Sequence, residues 1–256
     1  MGSIETASSA LQGWTRAAYD ADGRTYDTYR RGVGPGVIVI HEIPGMTPEV
    51  IGFAQEVVDA GFTVVMPHLF GDPGRPFSAR YIASVAPRLC VRKEFTTFAT
   101  GATSPIAGWL RSLSRSLHDE LGGPGTGVVG MCFTGGFALA MMVDDSVAAP
   151  VLAQPSLPFP VGARRAADLG LSPADLSIVK ARAAAGCAVL GLRYADDKAT
   201  GTRFATLERE LGPAFTAIEF PGSKHSTLTA HRQQEGVDKV LDFLRDRLSS
   251  SPGSQD

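Results

Sequence analysis

The chain has 256 residues, 44% of them hydrophobic and 20% charged, with a formal net charge of -2. That length and balance suit a globular fold with a sizeable core and exclude a disordered chain. The slightly negative charge and the lack of any basic run exclude a surface built for nucleic acid.

Residues 1 to 13 and 249 to 256 read as loose tails on composition, leaving one domain over 14 to 248. The amino terminus has neither a basic region nor an apolar stretch of signal length, and no run approaches the length of a membrane span. Cys90, Cys132 and Cys187 form no C-x-x-C pair and no disulfide framework, which suits a reducing compartment. A cytoplasmic protein that works away from membranes is expected.

Thr15 to Tyr19 and Arg24 to Tyr29 alternate in polarity around Asp20-Ala21-Asp22-Gly23, the pattern of a hairpin at a sheet edge. Val37-Ile38-Val39-Ile40 is a β-branched run suited to a strand buried on both faces. It ends at His41-Glu42-Ile43-Pro44-Gly45. Thr47 then offers a helix cap and Pro48 a first helical residue, and Gly61 stops that helix before a second strand, Thr63 to Met66. Residues 78 to 120 suit helices interrupted by Pro87 and Pro105, with a break near Gly101 to Pro105.

Gly127-Val128-Val129-Gly130-Met131-Cys132-Phe133-Thr134-Gly135-Gly136 runs from an apolar strand through a sharp turn into an apolar helix. A nucleophile elbow has this form: the central residue stands in strained backbone geometry above the sheet. Cys132 is the central residue here, and the small residues around it relieve crowding that a merely buried thiol would not face. Cys90 and Cys187, without such surroundings, read as core residues.

Beyond the elbow, Ala148 to Ala153 is a weaker strand, and Ser172-Pro173 opens a helix. Cys187 to Leu192 is a buried strand ending at Asp196 and Asp197. A helix over Thr202 to Leu211 follows, then a strand over Phe215 to Phe220, a loop carrying His225, and a closing amphipathic helix. The alternation of strands and helices predicts an α/β fold with a mostly parallel sheet and helices on both faces.

Chemistry in such sheets gathers at the carboxyl ends of the strands. Glu42, Cys132, the pair Asp196 and Asp197, and His225 all fall on such ends. The order nucleophile, acid, histidine is that of the α/β-hydrolase triad. In that scheme the Cys132 thiolate attacks an ester carbonyl, His225 moves the proton, and the acid orients His225. The backbone N–H groups of Ile43 and Phe133 form the oxyanion hole.

On these positions, and on the Pro67-x-Leu69-Phe70 loop, the chain resembles the dienelactone hydrolases, α/β-hydrolases that use cysteine where most relatives use serine. The resemblance runs from Val37 to the final helix. It implies cleavage of esters or lactones by a Cys132–His225–Asp197 triad, without metal or organic cofactor. It also implies a role for Glu42 in touching the resting cysteine and helping to generate the thiolate. Two departures stand out. The arginine that the family places four residues after its histidine is Thr229, so Glu42 would need another base such as Arg232 for the family's pairing, and the family's switching mechanism does not carry over intact. The glycine two residues after the cysteine is Thr134, which is expected to open the turn slightly. The family binds a substrate carboxylate with arginines, for which Arg75, Arg80, Arg88 and Arg92 are candidates.

Other chemistries fit less well. His41-Glu42 lacks the second histidine of a zinc helix, since Gly45 stands there, and no glycine-rich piece has the residues of a phosphate loop. Thr227 follows His225 by two, where a glutamine-amidotransferase-like enzyme carries glutamate. A general carboxylesterase or thioesterase would share the triad, and a silent binding protein would share the fold.

Overall fold

The β-branched run at Val37 sets the frame of the molecule. In the computed structural model, which describes residues 10–95 and 98–249, it forms strand β3 (Gly36–Ile40). Ile38 and Ile40 pack into one core, Val37 and Val39 into another on the opposite face. The two-residue period of a strand produces that division, and β-branched side chains fill both sides.

A hairpin of β1 (Thr15–Ala21) and β2 (Arg24–Arg31) forms one edge of an eight-stranded sheet in the order β1-β2-β4-β3-β5-β6-β7-β8. The hairpin is antiparallel to β4 (Thr63–Pro67). From β4 onward, through β3, β5 (Thr126–Met131), β6 (Val147–Ala153), β7 (Val189–Tyr194) and β8 (Phe215–Phe220), every pairing is parallel. This is an α/β-hydrolase fold.

The helices in chain order are α1 (Pro48–Asp59), α2 (Ala79–Cys90), α3 (Ile106–Leu121), α4 (Gly135–Met141), the short α5 (Ala163–Ala166), α6 (Pro173–Ala184), α7 (Arg203–Leu211) and α8 (Gln234–Leu248). Apolar faces of α1 and α8 cover one side of the sheet. Those of α2, α3, α4, α6 and α7 cover the other. Trp109 of α3 is fully buried between the rings of Tyr19 and Tyr26, at centroid distances of 5.4 and 5.1 Å, and so joins the hairpin to the body. Among the described residues no helix is long and apolar enough to cross a membrane.

Two local expectations are corrected. Pro87 does not interrupt its helix but lies within α2, which continues to Cys90. Proline removes only the bond to the carbonyl of Ala83, and both residues are exposed, so water satisfies that carbonyl. Residues 10 to 13 are not loose: Leu11 packs against the core and the Gln12 carbonyl accepts a hydrogen bond from Arg31 at 3.1 Å. The remainder of the expected tails, residues 1–9 and 250–256, lies outside the described residues.

Candidate active site

Parallel register brings the carboxyl ends of β3 and β5 level, with Ile40 opposite Gly130. The chain leaving β5 turns sharply at Cys132, whose φ of 51° lies in the left-handed region that a residue with a β-carbon occupies only under constraint. Glycine supplies the room for the turn. A β-carbon on Gly130 would come within 2.4 Å of the Thr134 carbonyl oxygen, and one on Gly135 within 2.7 Å of Pro155 Cα. A 3₁₀ turn, Cys132–Thr134, then leads into α4.

Thr134 is accommodated in this turn through its hydroxyl. Its buried hydroxyl accepts the Met131 N–H at 3.1 Å. The same oxygen is 3.1 Å from the carbonyls of both Ile40 and His41 and 3.0 Å from that of Met131, and its proton can serve one of them at a time. The side chain thus ties the elbow to the end of β3. Ile43, past the end of β3, and Phe133, past the end of β5, carry the expected oxyanion N–H groups. Phe133 lies in the first turn of a helix, where amides have no partner within the turn.

His225 follows β8, and its Nδ1 lies 2.7 Å from Oδ2 of Asp197, which follows β7. Asp197 is almost fully buried and also accepts the Thr200 hydroxyl at 2.7 Å and the Ala199 N–H at 2.9 Å. Burial would raise its pKa, but these donors and His225 hold it below the usual carboxylate range. The Cys132 side chain also acts electrostatically on the imidazole. Burial would lower the histidine's pKa, yet the adjoining Cys132 sulfur and Asp197 carboxylate raise it well above the ordinary value. Asp196, by contrast, is exposed and serves as a turn residue, its N–H donating to the Gly222 carbonyl at 3.0 Å.

Glu42 is held by neutral donors. Its Oε2 accepts the Ser226 hydroxyl at 2.9 Å and the Gln154 amide at 3.5 Å, and its Oε1 accepts the Thr229 hydroxyl. Among the described residues no hydrogen bond joins Glu42 to Cys132. Burial pushes the Glu42 pKa up, opposed by the two hydroxyls, by nearby His225 and by Gln154. Arg232 is not its partner. That guanidinium forms a bidentate pair with Glu56 at 2.8 and 2.6 Å on the surface. The adjoining His41 is buried and its pKa falls to about 3, chiefly through burial and also through His68. Its Nε2 accepts the Leu69 N–H at 3.1 Å, so His41 is a neutral strut rather than a base.

The end of β6 supplies two groups that the sequence did not single out. Gln154, at φ 36°, accepts both the N–H and the hydroxyl of Thr227 and so braces the His225 loop. Ser156 Oγ lies 3.5 Å from Cys132 Sγ. The rule that chemistry gathers at strand carboxyl ends, applied to Ala148–Ala153 as to the other strands, would have pointed to both. Arg75, Arg80, Arg88 and Arg92 line one cleft of about 560 Å³ beside α2. Arg75 pairs with Asp72 and Arg92 with Glu94, whereas Arg80 and Arg88 have no partner among the described residues.

No curated protein matches the sequence. Among solved structures, a cold-adapted esterase from an Arctic intertidal metagenomic library superposes with a TM-score of 0.60 at 16% identity, covering 91% of this chain and 93% of that one. A dienelactone hydrolase-like promiscuous phosphotriesterase from metagenomic libraries gives a TM-score of 0.60 at 15% identity, covering 92% and 98%. The 2,6-dihydroxy-pseudo-oxynicotine hydrolase gives 0.60 at 14%, covering 94% of this chain and 70% of that one. Identities this low speak for the fold alone. The sequence itself matches the dienelactone hydrolase family over residues 24–239, from the second strand of the hairpin into the closing helix, and the chain belongs to that family of hydrolases.

Proposed function

We propose that the protein hydrolyses ester or lactone bonds of small molecules by covalent catalysis at Cys132. The single observation that carries this reading is a cysteine at φ 51° on the turn after β5, acting electrostatically on a histidine whose Nδ1 is held 2.7 Å from a buried carboxylate. A buried structural thiol needs neither the strained backbone nor the buttressed imidazole.

Sγ transfers its proton to His225, giving a thiolate and an imidazolium that Asp197 stabilises. Sulfur attacks the carbonyl carbon, and the oxygen that becomes negative is met by the N–H groups of Ile43 and Phe133, each worth about 3 kcal/mol in comparable sites. His225 returns its proton to the departing alkoxide, leaving a thioester on Cys132. In a lactone that alkoxide remains part of the acyl chain. Water, deprotonated by His225, then attacks the thioester, and the sulfur leaves to restore the resting pair. Membership of the dienelactone hydrolase family supports a hydrolytic reaction.

The test is hydrolysis of p-nitrophenyl esters and small lactones by the wild type and by Cys132→Ala, with folding checked by circular dichroism. Activity lost in a folded variant is the expected result, and the order of substrates separates lactonase from general esterase. Turnover retained by Cys132→Ala would overturn the assignment.

A further inference from the structure

Ser156 has the placement of a group that acts on the reacting sulfur. It is 3% exposed, and its hydroxyl oxygen stands 3.5 Å from Cys132 Sγ. Among the described residues the sulfur is the only hydrogen-bond partner recorded for that hydroxyl. A buried hydroxyl that donates to nothing is costly, so the proton has one useful direction. A neutral thiol is a weak acceptor, whereas an anionic acceptor makes a hydrogen bond about twice as strong.

The position is fixed by backbone rather than by the sulfur contact itself. Ser156 N–H donates to the Cys132 carbonyl at 3.0 Å, and Gln154 N–H donates to the Leu192 carbonyl at 2.6 Å. Pro155 lies so close to Gly135 that no β-carbon fits there. Two residues further on, the Pro158 carbonyl accepts a hydrogen bond from the buried Arg203 guanidinium. The hydroxyl is therefore presented to Sγ by a segment bolted to both the elbow and the neighbouring strand. That is the preorganisation an electrostatic contribution to catalysis requires.

We propose that Ser156 is a catalytic residue that donates its O–H to the Cys132 thiolate and stabilises it before attack. This rests on Cys132 being the nucleophile. No proton is transferred from Ser156. The thiol proton goes to His225, and the serine O–H bond stays intact while pointing at the sulfur. When sulfur becomes part of a neutral thioester it loses its charge, and the serine's hydrogen bond weakens. The same hydroxyl therefore favours departure of the thiolate in the second half of the reaction, when negative charge returns to Sγ.

The experiment is the rate of iodoacetamide alkylation of Cys132 against pH, followed by mass spectrometry of its peptide, in the wild type, Ser156→Ala and Ser156→Thr. Alanine deletes the hydroxyl while keeping the backbone bond to Cys132. Expected is an alkylation profile displaced to higher pH in Ser156→Ala, with a rate about tenfold lower on its acidic limb. Ser156→Thr is expected to recover most of that loss, and Cys187 in the same samples is expected to alkylate unchanged. A Ser156→Ala profile that overlays the wild type overturns the proposal, and so does an equal change at Cys187, which would mark a general loosening. Alkylation is read at the sulfur and needs no turnover, so its outcome is separable from that of the Cys132→Ala activity test.

Discussion

The hydroxyl of Thr229 donates to Oε1 of Glu42 at the place where the family resemblance leads one to expect a guanidinium. With Ser226 and Gln154 on the other oxygen, Glu42 is a buried carboxyl surrounded by neutral donors. Dipoles offset desolvation less fully than a cation does, and the pKa is raised accordingly.

The sign of the resulting pH dependence follows from linkage. An unfolded glutamate titrates near about 4.3. Above that pH the unfolded chain gives up the proton that the folded one retains, so Glu42 subtracts stability as pH rises toward its folded pKa. Glu42→Gln removes this loss. In thermal melts the variant is expected to gain on the wild type as pH rises above about 4.3, and parallel pH dependences would refute the account.

Asp197 works in the opposite sense. Its pKa is depressed, so its contribution to stability is present above about 3.9 and is lost as pH falls through the folded value. Asp197→Asn keeps the size and a hydrogen bond but removes the charge that favours protonated His225. We expect kcat to fall by roughly 10³- to 10⁴-fold in ester hydrolysis assays, with far-ultraviolet circular dichroism unchanged.

Thr134→Val tests the tie between the elbow and β3. The shapes match, but the Met131 N–H loses its acceptor and the strand-end carbonyls lose their donor. Urea denaturation is expected to show a loss of about 1–3 kcal/mol, while Thr134→Ser stays close to the wild type.

Trp109 joins the hairpin to α3 through two edge contacts and a hydrogen bond from its Nε1 to the Tyr19 carbonyl at 3.3 Å. Trp109→Ala should cost about 3–5 kcal/mol of stability by chemical denaturation. Because β1 and β2 lie at the edge of the sheet, far along it from β7 and β8, KM is expected to change little below the unfolding transition.

The buried strands were legible because runs such as Val37–Ile40 and Thr63–Met66 have few other uses in a globular chain. The elbow, acid and histidine stood out in the sequence because their order along the chain is informative, and the fold does bring His225 beside Asp197. The surroundings of Glu42 were not legible. Ser226, Thr229 and Gln154 are polar residues of ordinary kind, and only the folded chain brings Gln154 from β6 beside residues that follow β8. The Pro87 expectation failed for a local reason, since a general rule about proline says nothing of whether the freed carbonyl faces water. Thr134 was read as an obstacle by its size, whereas its hydroxyl is what joins two strand ends.

Arg203 gives the site a mechanical property. The residue is 1% exposed, and burial lowers its pKa to about 10. It donates to the carbonyls of Thr200 at 2.7 Å, Asp168 at 2.9 Å and Arg165 at 2.9 Å, as well as to that of Pro158. One side chain therefore clasps the loop that bears Asp197 and the loop that bears Ser156. Neither loop can swing away alone without leaving a buried cation short of acceptors. Displacing either loop therefore strains the anchor of the other, so the acid and the serine share one mechanical support.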